Sequence, residues 1–160
     1  MEKEMLAAFA LVCVLLASGC TSQNQPGATA NNTDNAASAM SNSASDVQKV
    51  EVFHFHGTHQ CYSCITVGSL AEKTVNTSFK DELDSGRLVF GHINAELEEN
   101  GDLVAKYGVT SASLWIGTYY VNGTFVKEEN VNVWYKINDE AGYMEYLKGI
   151  LQKRLRGELD

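Results

Sequence analysis

The chain has 160 residues, of which 20 are acidic and 12 are basic, so its formal net charge at pH 7 is −8. An acidic chain lacks the positive charge with which proteins bind phosphate backbones, and this argues against nucleic acid as a partner. Residues 47–160 suffice for one domain with its own core and are too few for two.

The N-terminus carries a short apolar run, Met5 to Gly19, that ends at Cys20. It is shorter than the about 20 residues that a helix needs to cross a membrane, so residues 1–19 are predicted to be a signal peptide. The residues Leu16-Ala17-Ser18-Gly19-Cys20 resemble the lipobox of prokaryotic lipoproteins. That resemblance implies cleavage before Cys20, lipidation of its sulfur, and a location on the outer face of the cell membrane or in the periplasm. A plain membrane-anchoring helix and a buried apolar segment are the alternatives.

A polar tether is predicted to follow the lipid-anchor cysteine, over residues 20–46. From Thr21 to Asp46 the sequence is almost wholly Ser, Thr, Asn, Ala and Gly, with no aromatic residue. Such a composition does not seed a core and favours disorder. A flexible chain of this length reaches about 25 to 30 Å, so the domain over residues 47–160 is predicted to work close to a membrane surface.

The predicted domain begins with a strand that leads into a CxxC motif. Val50 to His56 alternates and is rich in β-branched and aromatic residues, which favours a strand. Cys61 and Cys64 follow after a Gly-Thr break. From Cys64 to about Phe79 apolar residues recur at helical spacing. The dithiol is therefore predicted to lie at a helix N-terminus.

The same patterns predict the elements of the second half. Arg87 to Asn94 has the pattern of a strand, and Asn100 to Tyr107 that of a short helix. Ser113 to Val121 and Thr124 to Val126 flank Asn122-Gly123, a strong hairpin signal because both central positions of such a turn need positive φ. The pairing is predicted to become antiparallel here.

A closing amphipathic helix is predicted from about Asp139. Its apolar face comprises Met144, Leu147, Leu151 and Leu155. Its polar face comprises Lys148, Lys153, Arg154 and Arg156.

This order of elements, βαβ followed by a short helix and ββα, is the order of the thioredoxin fold. Local matches to thioredoxins are Cys61-Tyr62-Ser63-Cys64 after a strand, Leu103 to Val109 with its Tyr-Gly-Val ending, and the strand opening at Ser113-Leu114. Residues 48–156 thus resemble the thioredoxin-like superfamily, which implies an α/β fold with a central mixed sheet of about four strands and flanking helices. More narrowly, Phe55 to Thr58 and Val109 to Leu114 resemble thioredoxin-like proteins labelled as nitrophenyl-compound nitroreductase subunits, which are associated with arsenic-resistance genes.

Two cysteines at this spacing predict thiol-disulfide exchange. The positive end of the helix dipole stabilises a thiolate at Cys61, which makes it the predicted nucleophile. Cys64 lies one turn further on and is predicted to resolve the mixed disulfide. A static disulfide is the alternative, although closing so short a loop removes little chain entropy. No cofactor besides the redox-active disulfide is expected, and the predicted partners are a protein or small thiol or disulfide and a membrane thiol-transfer protein.

The residues around the dithiol depart from the thioredoxin pattern. Thioredoxins use a buried acid beneath the dithiol, but Val52 to His56 offers no carboxylate, so His54 is the candidate base, with a satisfied strand histidine as the alternative. His59 is a second candidate for a base or for the substrate edge. The position of the thioredoxin cis-proline is taken by Ser113, and a trans bond is expected there because a cis bond costs about 2.5 to 4 kcal/mol.

Two rival functions stay open at the level of the sequence. Two cysteines and two histidines form a familiar zinc set, and thiolates also suit Cu(I), so Cys61, Cys64, His56 and His59 are candidate ligands of a metal- or metalloid-binding protein. Against this, His54 and His56 share one face of an alternating strand, which is predicted to point away from the dithiol. The third possibility is a redox-silent docking module.

Overall fold

The computed structural model describes residues 46–159. The predicted signal peptide, the lipidation site Cys20 and nearly all of the tether lie outside the described residues, so these assignments stay predictions. Within the described part, no helix has the length and apolar character needed to cross a membrane.

The described part contains one sheet and a set of flanking helices. The strands are β1 (Val47–His56), β2 (Leu88–Asn94), β3 (Ser113–Tyr120) and β4 (Phe125–Glu129). The α-helices are α1 (Tyr62–Ser78), α2 (Lys80–Asp84), α3 (Gly101–Tyr107) and α4 (Glu140–Leu155), with short 3₁₀ helices at Glu98–Asn100 and Val131–Lys136.

The strand order is β2-β1-β3-β4, with β2 parallel to β1 and with β3 and β4 each antiparallel to its neighbour. This is a βαβ unit followed by ββα, as in the thioredoxin fold. The chain has a thioredoxin-like fold. The predicted α/β class and the mixed sheet are confirmed.

The central strand β1 is covered on both faces. Val50 and Val52 belong to a core that includes α1 and α4 residues, whereas Phe53 and Phe55 pack with Tyr107 of α3. Because successive strand residues point to opposite faces, residues 50, 52 and 54 all face the layer that contains α1. This alternation sets which side chains of β1 reach the dithiol.

The predicted hairpin is present, but its turn differs. The Gly123 amide donates to the Tyr120 carbonyl and the Tyr120 amide donates to the Thr124 carbonyl, each at 2.9 Å. The loop therefore has three residues, and its left-handed position is Gly123 at φ 85°. A type I turn followed by a residue with positive φ is the common solution for this loop length. The prediction of a two-residue loop is wrong, because the loop is one residue longer.

The closing helix begins as predicted, but one residue of its predicted polar face is buried. Asp139 caps it by accepting a 3.0 Å hydrogen bond from the Gly142 amide. Arg154, predicted on the polar face, is buried with 2% exposure. Its guanidinium donates to both carboxylate oxygens of Glu128 on β4, at 2.5 and 2.8 Å. A bidentate pair of this kind satisfies the charge and allows the burial that the helical pattern alone did not predict.

Candidate functional site

The dithiol occupies the N-terminus of α1. Cys61 is the residue that caps the helix, with an extended backbone at φ −79° and ψ 167°, and the first helical turn carries no acidic residue. The Cys61 side chain is exposed, the Cys64 side chain is buried, and both are free thiols. The arrangement leaves Cys61 accessible to a partner at the positive end of the helix dipole.

Cys64 is held against two polar partners. Its sulfur lies 3.4 Å from Nε2 of His54 and donates at 3.4 Å to Oε1 of Gln60. Burial, and next the neighbouring Cys61, raise the pKa of the Cys64 thiol. A thiol that is protonated at neutral pH needs a base before it can attack a disulfide.

His54 is the buried base candidate beside that thiol. It is 1% exposed, and its Nδ1 lies 3.1 Å from Nδ1 of His92. Its ring stacks on His56 with 5.4 Å between centroids. Burial, and then the charges of His92 and His56, lower the pKa of His54 to about 4. The ring is therefore neutral at pH 7. The prediction that this strand face points away from the dithiol is wrong for His54, because the face is the one that α1 covers.

A glycine in α1 makes room for the imidazole. A Cβ on Gly68 would stand 2.7 Å from Cε1 of His54 and closer still to its Nδ1. Real side chains do not approach so closely, so only glycine allows α1 to lie over the ring. Gly68 thereby holds open the space in which His54 reaches Cys64.

His92 and Glu72 extend the site and were missed from the sequence. Nε2 of His92 lies 3.3 Å from Oε2 of Glu72, and the two side chains are 38% and 51% exposed. The signal that finds His92 is the parallel register of β1 and β2, in which His54 is directly opposite His92. That register sets Val50 opposite Leu88, a match of two buried residues.

The other histidines of the predicted site lie at its edge. Nδ1 of His56 donates to the Gly57 carbonyl at 2.9 Å. His59 is exposed in the loop before the dithiol. Within residues 46–159, no three or more His, Cys, Asp or Glu side chains are grouped so as to hold a metal ion. The proposed metal ligands Cys61, Cys64, His56 and His59 stay a prediction.

Ser113, which the resemblance predicts to take the place of the thioredoxin cis-proline, is buried at the start of β3. Its hydroxyl donates to the Ser111 carbonyl at 3.0 Å and accepts from Nε1 of Trp115 at 2.8 Å. Both of its hydrogen-bonding roles are thus taken within the protein. Its part in forming the substrate edge stays a prediction.

A cavity of about 300 Å³ lies next to this segment. It is lined by His56, Gly57, Ala95, Glu96, Val104, Val109, Thr110, Ser111 and Ala112. A larger cavity of about 650 Å³, lined in part by Phe79, Arg87 and Leu155, includes no residue of the dithiol.

The buried carboxylate of β1 is not the missing acid of the thioredoxin pattern. Glu51 points to the opposite face from His54, where it accepts hydrogen bonds from Tyr107 at 2.8 Å, Tyr119 at 2.6 Å and Lys49 at 2.7 Å. These bonds leave it satisfied and separated from the dithiol by the sheet. The imidazole of His54 remains the basic group that contacts Cys64.

No protein-family model matches the chain, and no curated protein sequence matches it. Among solved structures it is similar to the zinc-bound form of human ERp44, with 18% sequence identity and a TM-score of 0.42. The match covers 66% of this chain and 27% of the ERp44 chain, so the chain corresponds to a minor part of that protein. The thioredoxin-like fold rests on the strand order and connections described above.

Proposed function

We propose that the protein is a thiol-disulfide oxidoreductase in which Cys61 is the nucleophile, Cys64 the resolving thiol and His54 the base. The observation that carries this proposal is the contact of 3.4 Å between the buried sulfur of Cys64 and Nε2 of the buried His54, directly behind an exposed Cys61. A buried pair of thiol and neutral imidazole beside an accessible thiol is suited to the two successive steps of disulfide exchange.

In the first step, the thiolate of Cys61 attacks one sulfur of a partner disulfide. A bond forms between Cys61 and that sulfur, the partner's own S–S bond breaks, and its second sulfur leaves as a thiolate. Two apolar side chains flank the nucleophile in α1, Tyr62 at 77% and Ile65 at 51% exposure. They offer an apolar surface on which a partner can dock beside Cys61.

In the second step, the sulfur of Cys64 attacks Cys61 while its proton passes to Nε2 of His54. The disulfide between Cys61 and Cys64 forms, the bond from Cys61 to the partner breaks, and the partner leaves as a thiolate. The protein dithiol is oxidised by two electrons and the partner disulfide is reduced to two thiols. The reverse sequence oxidises a partner, and the reduction potential decides the direction.

The cysteine variants test this assignment. Cys64→Ser is expected to accumulate a mixed disulfide on Cys61 with its partner, because the resolving thiol is missing, whereas Cys61→Ser is expected to form none. Non-reducing mass spectrometry of the full chain measures both. If Cys61→Ser exchanges thiols as fast as the wild type, Cys61 is not the nucleophile and the proposal is wrong. If the wild type itself exchanges no thiols, a redox-silent docking module is favoured.

The potential of the wild type gives the direction of electron flow. A reduction potential of about −270 mV indicates a reductant, and one of about −120 mV indicates an oxidant. Titration in glutathione buffers, with the metal content measured on the same sample, also tests the rival function. Stoichiometric metal that blocks oxidation would make the protein a metal-binding protein instead.

The proposed place of work is the outer face of a membrane, to which a lipid on Cys20 tethers the domain, with a membrane thiol-transfer protein as a partner. The apolar run that ends at Cys20 supports this. Labelling with a fatty acid is expected in the wild type and not in Cys20→Ser. Equal labelling of both would contradict the lipid anchor.

A further inference from the structure

Four side chains form a continuous line of polar contacts from the resolving thiol to the solvent. The sulfur of Cys64 lies 3.4 Å from Nε2 of His54. Nδ1 of His54 lies 3.1 Å from Nδ1 of His92. Nε2 of His92 lies 3.3 Å from Oε2 of Glu72. The line begins at two buried residues and ends at two side chains that are 38% and 51% exposed.

The carboxylate of Glu72, at the outer end of this line, determines which nitrogen of each imidazole carries a proton. The carboxylate of Glu72 only accepts, so Nε2 of His92 carries a proton and donates it. In neutral His92 the other nitrogen, Nδ1, is then an acceptor, and the proton between the two rings belongs to Nδ1 of His54. Nε2 of His54 is left with a free lone pair that faces the thiol of Cys64. The two outer contacts thus each have one donor and one acceptor. The Cys64 proton, which is donated to Oε1 of Gln60, enters this path when the S–H turns to the free lone pair of His54 Nε2.

The groups around His54 leave His92 as the residue to which its Nδ1 proton can pass. Among residues 46–159, the titratable groups that contact its ring are Cys64 from α1, His92 from β2 and His56 from its own strand. The residue opposite it on β3 is the apolar Leu114. His56 only stacks on the ring, and its Nδ1 proton is donated to a backbone carbonyl.

A base that keeps the proton does not suit this position. Burial lowers the pKa of His54 to about 4 and raises that of the Cys64 thiol, so an imidazolium beside a thiolate is unfavourable here. If His54 gives up its Nδ1 proton as Nε2 receives one, the ring stays neutral throughout. The cost of a buried charge is then avoided.

We propose that His92, oriented by Glu72, is the solvent end of a proton path that deprotonates Cys64 during the resolving step. This inference rests on the proposed oxidoreductase function. As Cys64 attacks Cys61, the Cys64 proton moves to Nε2 of His54, the Nδ1 proton of His54 moves to Nδ1 of His92, and the Nε2 proton of His92 moves to Glu72 or water. One proton enters the path and one leaves it. Glu72 is a positioning residue.

The kinetic test uses the reduced full-length protein and an aromatic disulfide that releases a coloured thiolate at each step. The first thiolate appears when Cys61 attacks and the second when Cys64 resolves. His92→Gln is expected to leave the first phase unchanged and to slow the second about tenfold or more at neutral pH, in the range of lost general-base catalysis. Glu72→Gln is expected to fall between this variant and the wild type. Glu145→Gln is the matched control, because it removes the same charge from an exposed position on α4. Its two phases are expected to equal those of the wild type.

A second phase within about twofold of the wild type in His92→Gln would overturn the path and leave the oxidoreductase assignment intact. If the wild type itself releases no second thiolate, both proposals fall. The nitrogen NMR shifts of the imidazole rings provide a readout independent of activity. His54 is expected to be protonated on Nδ1 and not on Nε2 in the reduced protein, and the opposite tautomer would also overturn the path.

Discussion

Replacing Gly68 by alanine separates two opposed effects in one helix. Alanine is favoured over glycine in a helix interior by about 1 kcal/mol, so propensity alone predicts a more stable protein. The added Cβ, however, would stand 2.7 Å from Cε1 of the buried His54, and overpacking of this kind costs about 1 to 3 kcal/mol. The net expectation is a loss of up to about 2 kcal/mol in the free energy of unfolding.

Gly149→Ala is the matched control because it makes the same change in α4, where a Cβ meets no atom within 4 Å. It is expected to gain the propensity term of about 1 kcal/mol without the clash. Urea denaturation at neutral pH measures both, and the difference between the variants is expected to be about 1 to 3 kcal/mol. Equal stability of the two would refute the close packing of His54 under α1. A displaced ring also predicts a slower release of the second thiolate in Gly68→Ala alone.

Two further predictions follow from buried ionisable side chains. Because the pKa of His54 is lowered from 6.5 to about 4, the unfolded state binds the extra proton first, so stability is full above pH 6.5 and falls as the pH drops toward 4. The loss is at most about 3 kcal/mol, and His54→Phe is expected to flatten it; an unchanged slope in denaturation curves across this range would contradict the assignment. Arg154→Lys loses the bidentate contact with Glu128 and is expected to cost about 1 to 3 kcal/mol, measured by urea denaturation beside the exposed control Lys148→Arg. A loss no larger than that of the control would mean that the buried pair adds nothing to stability.

Local periodicity predicted most of the elements, because each is determined by residues close in sequence. The alternation of Val50 to His56 and the helical spacing after Cys64 predicted β1 and α1, and the structure has them at Val47–His56 and Tyr62–Ser78. The helix α2 at Lys80–Asp84 and the 3₁₀ helix at Val131–Lys136 were not predicted. Segments so short complete too few turns to show a period.

The geometry around the candidate site was predicted where it is local and missed where it depends on distant pairing. Cys61 and Cys64 are three positions apart, and α1 was predicted to begin beside them. The contact between His54 and His92 joins residues 38 positions apart, and it exists only because β2 is parallel to β1 in one register. The burial of Arg154 likewise depends on a carboxylate 26 positions away. Strand register and tertiary charge pairing are not written in any single window of sequence.

The line from Cys64 to Glu72 has a geometric consequence for complexes of this protein. Cys61 caps α1, and Glu72 lies 11 residues further along the same helix, about 16 Å away at about 1.5 Å per residue. In the proposed mechanism, a partner whose contact is confined to Cys61 and the exposed Tyr62 and Ile65 covers the point of substrate entry and leaves the point of proton release at Glu72 uncovered. In the proposed covalent complex with such a partner, the Cys64 proton reaches solvent at Glu72 while the partner shields the two sulfurs from water. Shielding of the dithiol and release of the proton then do not compete.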